Sequence, residues 1–339
     1  MKNFYNFVIK FWELCKSDSI TSIAKYLIGT GVLLVAGIGI FNLTYKEISL
    51  QYSDEGNIIG YLFLVSGFII AIYRTFTKKN TITLVYGKGL ENMNNHTPME
   101  AIPKYLHFDC ISLDIKEINS YHKNEIIDDY SFNRRLLENR IQNKNSKKIY
   151  VGALGSFPYL FLLGCLFRNA YSEVITLDFD RHKSKWYKLP HFSEEKESIN
   201  HKLMYEDISI DTKINNLNSL AYDEVGIALS YTFQVNKDAI PNHLQNHTLY
   251  LKNSYGIGHD KLSNEESQKE LLKELSVYMA TLWNSHKKIH LFVSSQSSIC
   301  INIGKSYMNN AHGILVLYNY NNPLRTYNWS IEFDKGNII

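Results

Sequence analysis

The stretch that begins at residue 147, KKIYVGALGSFPYLFLLG, aligns without a gap on KKIHLFVSSQSSICINIG from residue 287, an offset of 140 residues. Each copy reads as two lysines, a short apolar strand, a small or polar turn, an apolar helical stretch and a glycine, Gly164 in one and Gly304 in the other. The same offset lays SEVITLDFD, from residue 172, on HGILVLYNY, from residue 312, and the helical stretch 128–145 on 268–285. Order kept over about ninety residues marks an internal duplication, which restricts the fold to two copies of one small unit.

Each copy therefore reads helix, strand, helix, strand. A further strand precedes it, at 105–115 in the first copy and at 224–233 and 248–253 in the second. Strands alternating with helices pair in parallel, so the expected class is α/β with a Rossmann-like layer in each copy. Such sheets bind ligands at the carboxyl ends of their strands, beside helix N-termini. Those places are the turns Gly155-Ser156-Phe157-Pro158 and Ser294-Ser295-Gln296-Ser297. Pro158 suits a first helical turn, and serines suit N-caps. Exposed backbone N–H groups at a positive dipole end attract anions, phosphate above all. Two such turns facing each other would enclose a pseudo-symmetric ligand with several phosphates. The plainer alternative is that the serines only cap their helices.

Ahead of the duplicated part the composition changes. Charged residues make up 20% of the 339-residue chain, and the mean hydropathy of −0.22 averages over two runs that have none. Residues 26–43 and 58–73 are uncharged. At about 1.5 Å per residue each crosses, or nearly crosses, a hydrocarbon core of about 30 Å. Both are expected to be transmembrane helices. Lys2, Lys10, Lys16 and Lys25 precede the first run, and Arg74, Lys78 and Lys79 follow the second. The loop 44–57 sets Lys46 against Glu47, Asp54 and Glu55. Basic flanks stay in the cytoplasm, so both termini are expected there.

Phe4, Phe7, Val8, Phe11, Trp12 and Cys15 recur at helical spacing, with lysines elsewhere on the helix. That pattern is an amphipathic helix lying in the membrane interface, or else one packed on the soluble body. Gly29, Gly31, Ala36, Gly37 and Gly39 in the first run, and Gly60, Ser66, Gly67 and Ala71 in the second, allow close helix approach in lipid. No ionisable residue interrupts either run, which argues against a pump or an ion-coupled transporter. The chain thus divides into a membrane part, 1–80, and a body, 81–339, with repeats at about 81–210 and 211–339.

A net charge of +3, with 12 histidines, supplies no basic field for duplex nucleic acid. Cys15, Cys110, Cys165 and Cys300 lie far apart without a CxxC and read as free thiols in a reducing compartment. No GxSxG, HExxH, Walker A or kinase set is present. Asp178 and Asp180 form a DxD pair on one strand face; a membrane-anchored α/β enzyme acting on a nucleotide or nucleotide-sugar would use it for a metal. His243/His247 and His286/His290 have i, i+4 spacing but no third ligand nearby, and Gly256-Ile257-Gly258 lacks a following glycine. A non-catalytic binding protein without cofactor or metal is the first reading, and that enzyme is the alternative.

The stretch from 147, the strand VITLDFDRHKSKWYKL and the block GIGHDKLSNEESQKELLKELSVYMATLWNSHKKIHLFVSSQSSICINIG together resemble the SAVED domain. That domain is the cyclic-oligonucleotide sensor of bacterial CBASS anti-phage defence, itself similar to two fused CARF-type Rossmann-like units. The resemblance covers most of residues 81–339, and two spans ahead of it look like the two-transmembrane SAVED effectors. It implies a phage-activated nucleotidyltransferase as functional partner and a cyclic tri- or tetranucleotide as ligand. It further implies a homo-oligomer that disrupts the bacterial inner membrane in abortive infection.

Carried over by residue, the resemblance implies a phosphate contact for Arg181, base stacking for Trp186 and a further phosphate contact for Lys183. Gly155, Ser156 and Phe157, followed by Pro158, match the first ligand-facing turn. Ser294, Ser295, Gln296 and Ser297 match the second, with Gln296 where the family usually has proline. The loop charges make one prediction. With the native cysteines replaced by serine, a cysteine at Ser49 reacts in intact cells with an impermeant thiol reagent and one at Ser131 does not. Labelling at Ser131 would contradict the orientation.

Overall fold

The computed structural model describes residues 20–35, 54–78, 82–88, 97–103, 110–115, 123–142, 148–170, 172–189, 202–204, 209–219, 222–254, 256–258, 264–308 and 313–339. The expected amphipathic helix lies outside them, except Ile20, as do Gly37, Gly39 and most of the loop 44–57. The chain forms two compact units, Met1–Thr81 and Ile82–Ile339.

In the first unit, α1 (Ile20–Val35) packs on α2 (Asp54–Lys78). A Cβ on Gly31 would stand 2.8 Å from the Gly60 carbonyl oxygen and from Leu64, and one on Gly67 would stand 2.7 Å from Ile28. These glycines let the two backbones touch, so they serve a contact within one chain, whereas Gly29 meets only open space. Among the described residues no helix is long and apolar enough to cross a membrane. The 16 residues of α1 span about 24 Å at the helical rise, and the uncharged stretch 58–73 of α2 is no longer, against a core of about 30 Å. The second expected span, 58–73, lies wholly within α2, and the first, 26–43, is described only as far as Val35.

The second unit holds two sheets. The first runs β2 (Cys110–Ile115), β1 (Ile82–Lys88), β3 (Lys148–Leu154), β4 (Glu173–Asp180) and β5 (Lys185–Lys188), all parallel except β5. The second runs β6 (Leu203–Met204), β8 (Thr248–Asn253), β7 (Glu224–Ser230), β9 (Lys288–Ser294), β10 (Ile314–Asn321), β11 (Thr326–Asp334) and β12 (Asn337–Ile338). Its four middle strands, β8, β7, β9 and β10, are parallel, and β6, β11 and β12 run against their neighbours. Strip off β6 and β12 and the two orders are identical. Residues 203–204 pair into the second sheet, ahead of the boundary read at 211. The strand at 82–88, absent from the sequence reading, is an interior strand of its sheet, hydrogen-bonded on both sides.

The register corrects the alignment. Ile149 faces Val174 where Ile289 faces Leu315, so β3 and β9 keep the offset of 140 while β4 and β10 differ by 141. One extra residue precedes β10, and Asp178 corresponds to Asn319. The hairpins agree with this shift. Asp180 accepts hydrogen bonds from the N–H groups of His182 and Lys183, and Asn321 accepts one from Leu324. Ser184 and Arg325 hold the same left-handed turn position at φ 48° and 52°. Phe179 meets Trp186 at 5.3 Å, and Tyr320 meets Tyr327 at 5.2 Å, both at 66°.

Helices α3 (Lys123–Gln142), α4 (Phe157–Cys165), α5 (Ile210–Asn218), α6 (Glu265–Trp283) and α7 (Ser297–Ser306) complete the unit. All nine residues of α4 are buried, as an apolar-all-round sequence demands of a central helix. One core joins both copies, with Val151, Phe161 and Leu163 from the first and Leu229, Leu291 and Ile301 from the second. At its centre α4 crosses α7. A Cβ on Gly164 would overlap the Ile301 carbonyl, and one on Gly304 would overlap the Phe161 carbonyl. Overpacking of this kind costs about 1–3 kcal/mol, more than the helix-propensity gain of at most about 1 kcal/mol from glycine to alanine. Gly304→Ala is therefore predicted to lower the unfolding free energy of the body in chemical denaturation. An unchanged or higher midpoint would contradict the crossing.

Candidate functional site

The two predicted turns end β3 and β9 and start α4 and α7. Ser156 is the N-cap of α4 and Gln296 that of α7, and neither side chain makes a capping bond. First-turn N–H groups at both helices are thus not taken by their N-cap side chains. Ser156 Oγ and Ser295 Oγ are shielded from solvent and have no hydrogen-bond partner. A buried hydroxyl left unpaired is costly, so both atoms are candidates to meet a ligand.

Beside the α7 turn lies a cleft of about 50 Å³ between the two copies. The second copy contributes Ser295, Gln296, Ser297, Thr232 and Phe233; the first contributes Leu154, Asp178, Arg181 and Tyr187. Ser294 is spent on architecture. Its carbonyl accepts from the N–H groups of Tyr231 and Thr232, and its Oγ accepts from the N–H of Phe233 at 3.1 Å. This anchors Phe233, 58% exposed, at the rim of the cleft.

Asp178 is the electrostatic centre. It is 3% exposed, accepts from the N–H of Phe179 at 2.9 Å and from Ser298 Oγ at 3.0 Å, and so ties β4 of one copy to α7 of the other. Ser298 Oγ also accepts from Gln268 Nε2 at 2.9 Å. Burial pushes the Asp178 carboxyl up to about 6, against the pull of those donors and of Arg181. Asp180 lies the other way, held below the usual carboxylate range by the N–H of Lys183 and its ammonium at 3.3 Å. The DxD pair thus divides into an inter-repeat bridge and a hairpin cap. Among the described residues no group of side chains could hold a metal ion. His247 stacks on Tyr222 at 3.8 Å, and His290 lies between Glu224 and Tyr318.

Of the predicted site residues, Arg181, Ser295, Gln296 and Ser297 come together in the cleft. Gly155 and Ser156 follow its wall residue Leu154 and are half-buried. Lys183 sits on the exposed hairpin, and Phe157 packs in the core against Phe161 at 6.1 Å. Trp186 requires a correction. It is 1% exposed, wedged against Tyr86 and Phe179, so it is a packing residue with no open face for a base. Its counterpart Tyr327 is half-buried and packs on Phe292, Tyr318 and Tyr320. Of the three aromatics that line the cleft, Phe179, Tyr187 and Phe233, the exposed one is Phe233, which the sequence reading placed inside a strand that in fact ends at Ser230. Cys165 and Cys300 are buried free thiols.

Fold and cleft define a duplicated, two-lobed Rossmann-like α/β module. Residues 132–333 match the SAVED model, the SMODS-associated and fused to various effectors sensor domain, and the chain belongs to that family. Among solved structures it is similar to the Acinetobacter baumannii Cap4 SAVED/CARF-domain containing receptor with the cyclic trinucleotide 3'3'3'-cAAA, at 12% identity and a TM-score of 0.48, over 83% of this chain and 58% of that one. The same receptor with 2'3'3'-cAAA gives 14% and 0.47 over 84% and 58%. The Moraxella osloensis Cap4 receptor gives 14% and 0.43 over 81% and 56%. The chain thus spans less than three-fifths of the length of these receptors. No curated protein matches it.

The raised Asp178 carboxyl gives a pH prediction with a definite sign. Its usual value is 3.8 and its folded value about 6, so the folded state binds the proton more tightly. The cost of the buried charge is absent below pH 3.8, grows through the interval to 6 and is full above it, about 3 kcal/mol at 1.36 kcal/mol per unit. Relative to Asp178→Asn, the wild-type protein should lose stability as pH rises from 4 to 6. Parallel stability curves for the two proteins across that interval would contradict the assignment.

Proposed function

We propose that this chain is a membrane-attached sensor that binds a cyclic tri- or tetranucleotide in the cleft between its two repeats. The observation that carries the reading is the meeting of Arg181, from the first copy, with the Ser295–Ser297 turn of the second. Guanidinium, shielded hydroxyl and helix N-terminus together suit one phosphate. Phe233, exposed beside them, offers a face on which a base stacks. A cleft of about 50 Å³ holds one such group, so the rest of the ring lies across the mouth towards Gly155 and Ser156. This is the behaviour that membership of a sensor family and the resemblance to CBASS receptors lead one to expect.

The proposed membrane attachment draws support from α2. Tyr61, Leu62, Val65, Phe68, Ile69 and Tyr73 are each more than half exposed. A contiguous apolar surface of this kind is costly in water and suited to lipid. In the proposal α1 and α2 extend to a pair of spans in the bacterial inner membrane, with both termini in the cytoplasm. Two packed helices from one chain leave no water-filled path, so disruption of the bilayer requires several copies. Ligand can drive that assembly only by preferring the assembled form. A nucleotidyltransferase would supply the ligand.

A panel of cyclic di-, tri- and tetranucleotides added to the purified full chain tests this. The matching ligand raises the melting temperature and the particle mass together. Arg181→Ala weakens binding by about 1.5–3 kcal/mol, the worth of a charge-assisted contact, and Phe233→Ala by about 1–3 kcal/mol. No response to any member of the panel would sink the reading. Full binding at constant particle mass would sink the assembly step alone.

A further inference from the structure

A second and larger cavity, about 260 Å³, lies on the inter-repeat side of β4, beneath the first turns of α6 and the second half of α7. It does not share a lining residue with the cleft. The duplication accounts for it. In the second copy the counterpart of Val174 is Leu315, whose hairpin partner Phe333 is fully buried and packs on Phe161 and Tyr307 at 5.5 and 5.1 Å. In the first copy the described pairing of β5 with β4 ends at Lys188 with Leu177, short of Val174.

Its walls have two chemistries. Val174, Ile175, Leu189 and Leu272 make an apolar side. Opposite them the neutral polar groups are already engaged. Thr176 Oγ1 donates to Asn302 Oδ1 at 3.1 Å, Asn302 Nδ2 donates to Gln268 Oε1 at 3.3 Å, and Ser306 Oγ donates to the Ile303 carbonyl at 2.8 Å. The ammonium groups are not saturated. Lys305 Nζ donates to the Val174 carbonyl at 3.3 Å, and Lys269 Nζ pairs with Glu265 at 2.7 Å. Each ammonium carries three hydrogens, so each retains donors for an anion. With one carboxylate and two ammonium groups the lining is net positive. Lys305 meets a carbonyl rather than a carboxylate, and burial holds its ammonium below the usual lysine range. A cation in that condition gains most from an incoming negative charge.

We propose that this cavity is a second ligand site, for a small organic oxyanion whose phosphate or carboxylate head lies between Lys269 and Lys305 and whose apolar body lies against Val174, Ile175, Leu189 and Leu272. The proposal stands whether or not the cleft binds a cyclic oligonucleotide. Phenyl phosphate is a suitable probe, with phenol as its headless control. The full chain, methyl-labelled at Ile, Leu and Val in detergent micelles, is titrated with each while the methyl resonances of Val174, Ile175, Leu189 and Leu272 are followed. Phenyl phosphate should shift these resonances saturably, and Lys305→Met and Lys269→Met should each raise its Kd at least about tenfold, the worth of one charge-assisted contact. The unperturbed remainder of the methyl spectrum shows that each variant is folded. The proposal is overturned if no saturable shift occurs, as when chain outside the described residues fills the space. It is equally overturned if both lysine variants keep the wild-type Kd, or if phenol binds as tightly as phenyl phosphate.

Discussion

Everything in the body of this protein hangs on the crossing of α4 and α7. Gly164 lies on the Ile301 backbone and Gly304 on the Phe161 backbone, and each contact is the other's image under the duplication. Only the absence of two side chains lets the helices approach so closely. That approach fuses the apolar helix layers of two small sheets into one core. It also brings the turn before α7, and Leu154 at the end of β3, to the inter-repeat cleft. A copy on its own would expose the face that α4 buries, which is why the duplicated unit must be read as a whole.

Within this symmetric frame the chemistry is one-sided. Asp178 bridges to Ser298, but the corresponding positions in the other cross-contact are Asn319 and Pro158, which offer neither the charge nor the hydroxyl. The hairpin that carries Arg181, His182 and Lys183 has Asn322, Pro323 and Leu324 as its counterpart. Positive charge and buried carboxylate thus gather where the first hairpin meets α7. Among the described residues β5 pairs over a shorter length than β11, and the second cavity lies beyond the end of that pairing.

Much of this is legible in the amino-acid sequence. The small residues and Pro158 at the end of one apolar strand, and the serines at the end of the other, mark strand–turn–helix junctions, and both junctions stand where expected. Parallel strands followed from the alternation of elements. Local pattern failed where tertiary contacts decide. Trp186 and Phe233 have the same aromatic chemistry, and only the sheet's outer layer, with Tyr86 and Phe179, determines that one is sealed and the other exposed. Asp178 and Asp180 look alike as a DxD pair, yet one reaches across the repeat interface and the other folds back on its own turn. The single-residue shift before β10 is invisible in an ungapped alignment of apolar strands, because neighbouring Ile, Leu and Val match equally well in either register. It appears in the pairing of Ile289 with Leu315.

The central claim is that one ligand is held between two repeats of a single chain. Native mass spectrometry of the full chain, released from micelles at saturating cyclic trinucleotide or tetranucleotide, tests it by counting bound molecules per chain. The account predicts one ligand per chain, with Arg181→Ala needing a higher ligand concentration than the wild-type protein to reach the same occupancy. Two ligands per chain, one for each repeat, or one ligand shared by two chains, would contradict it.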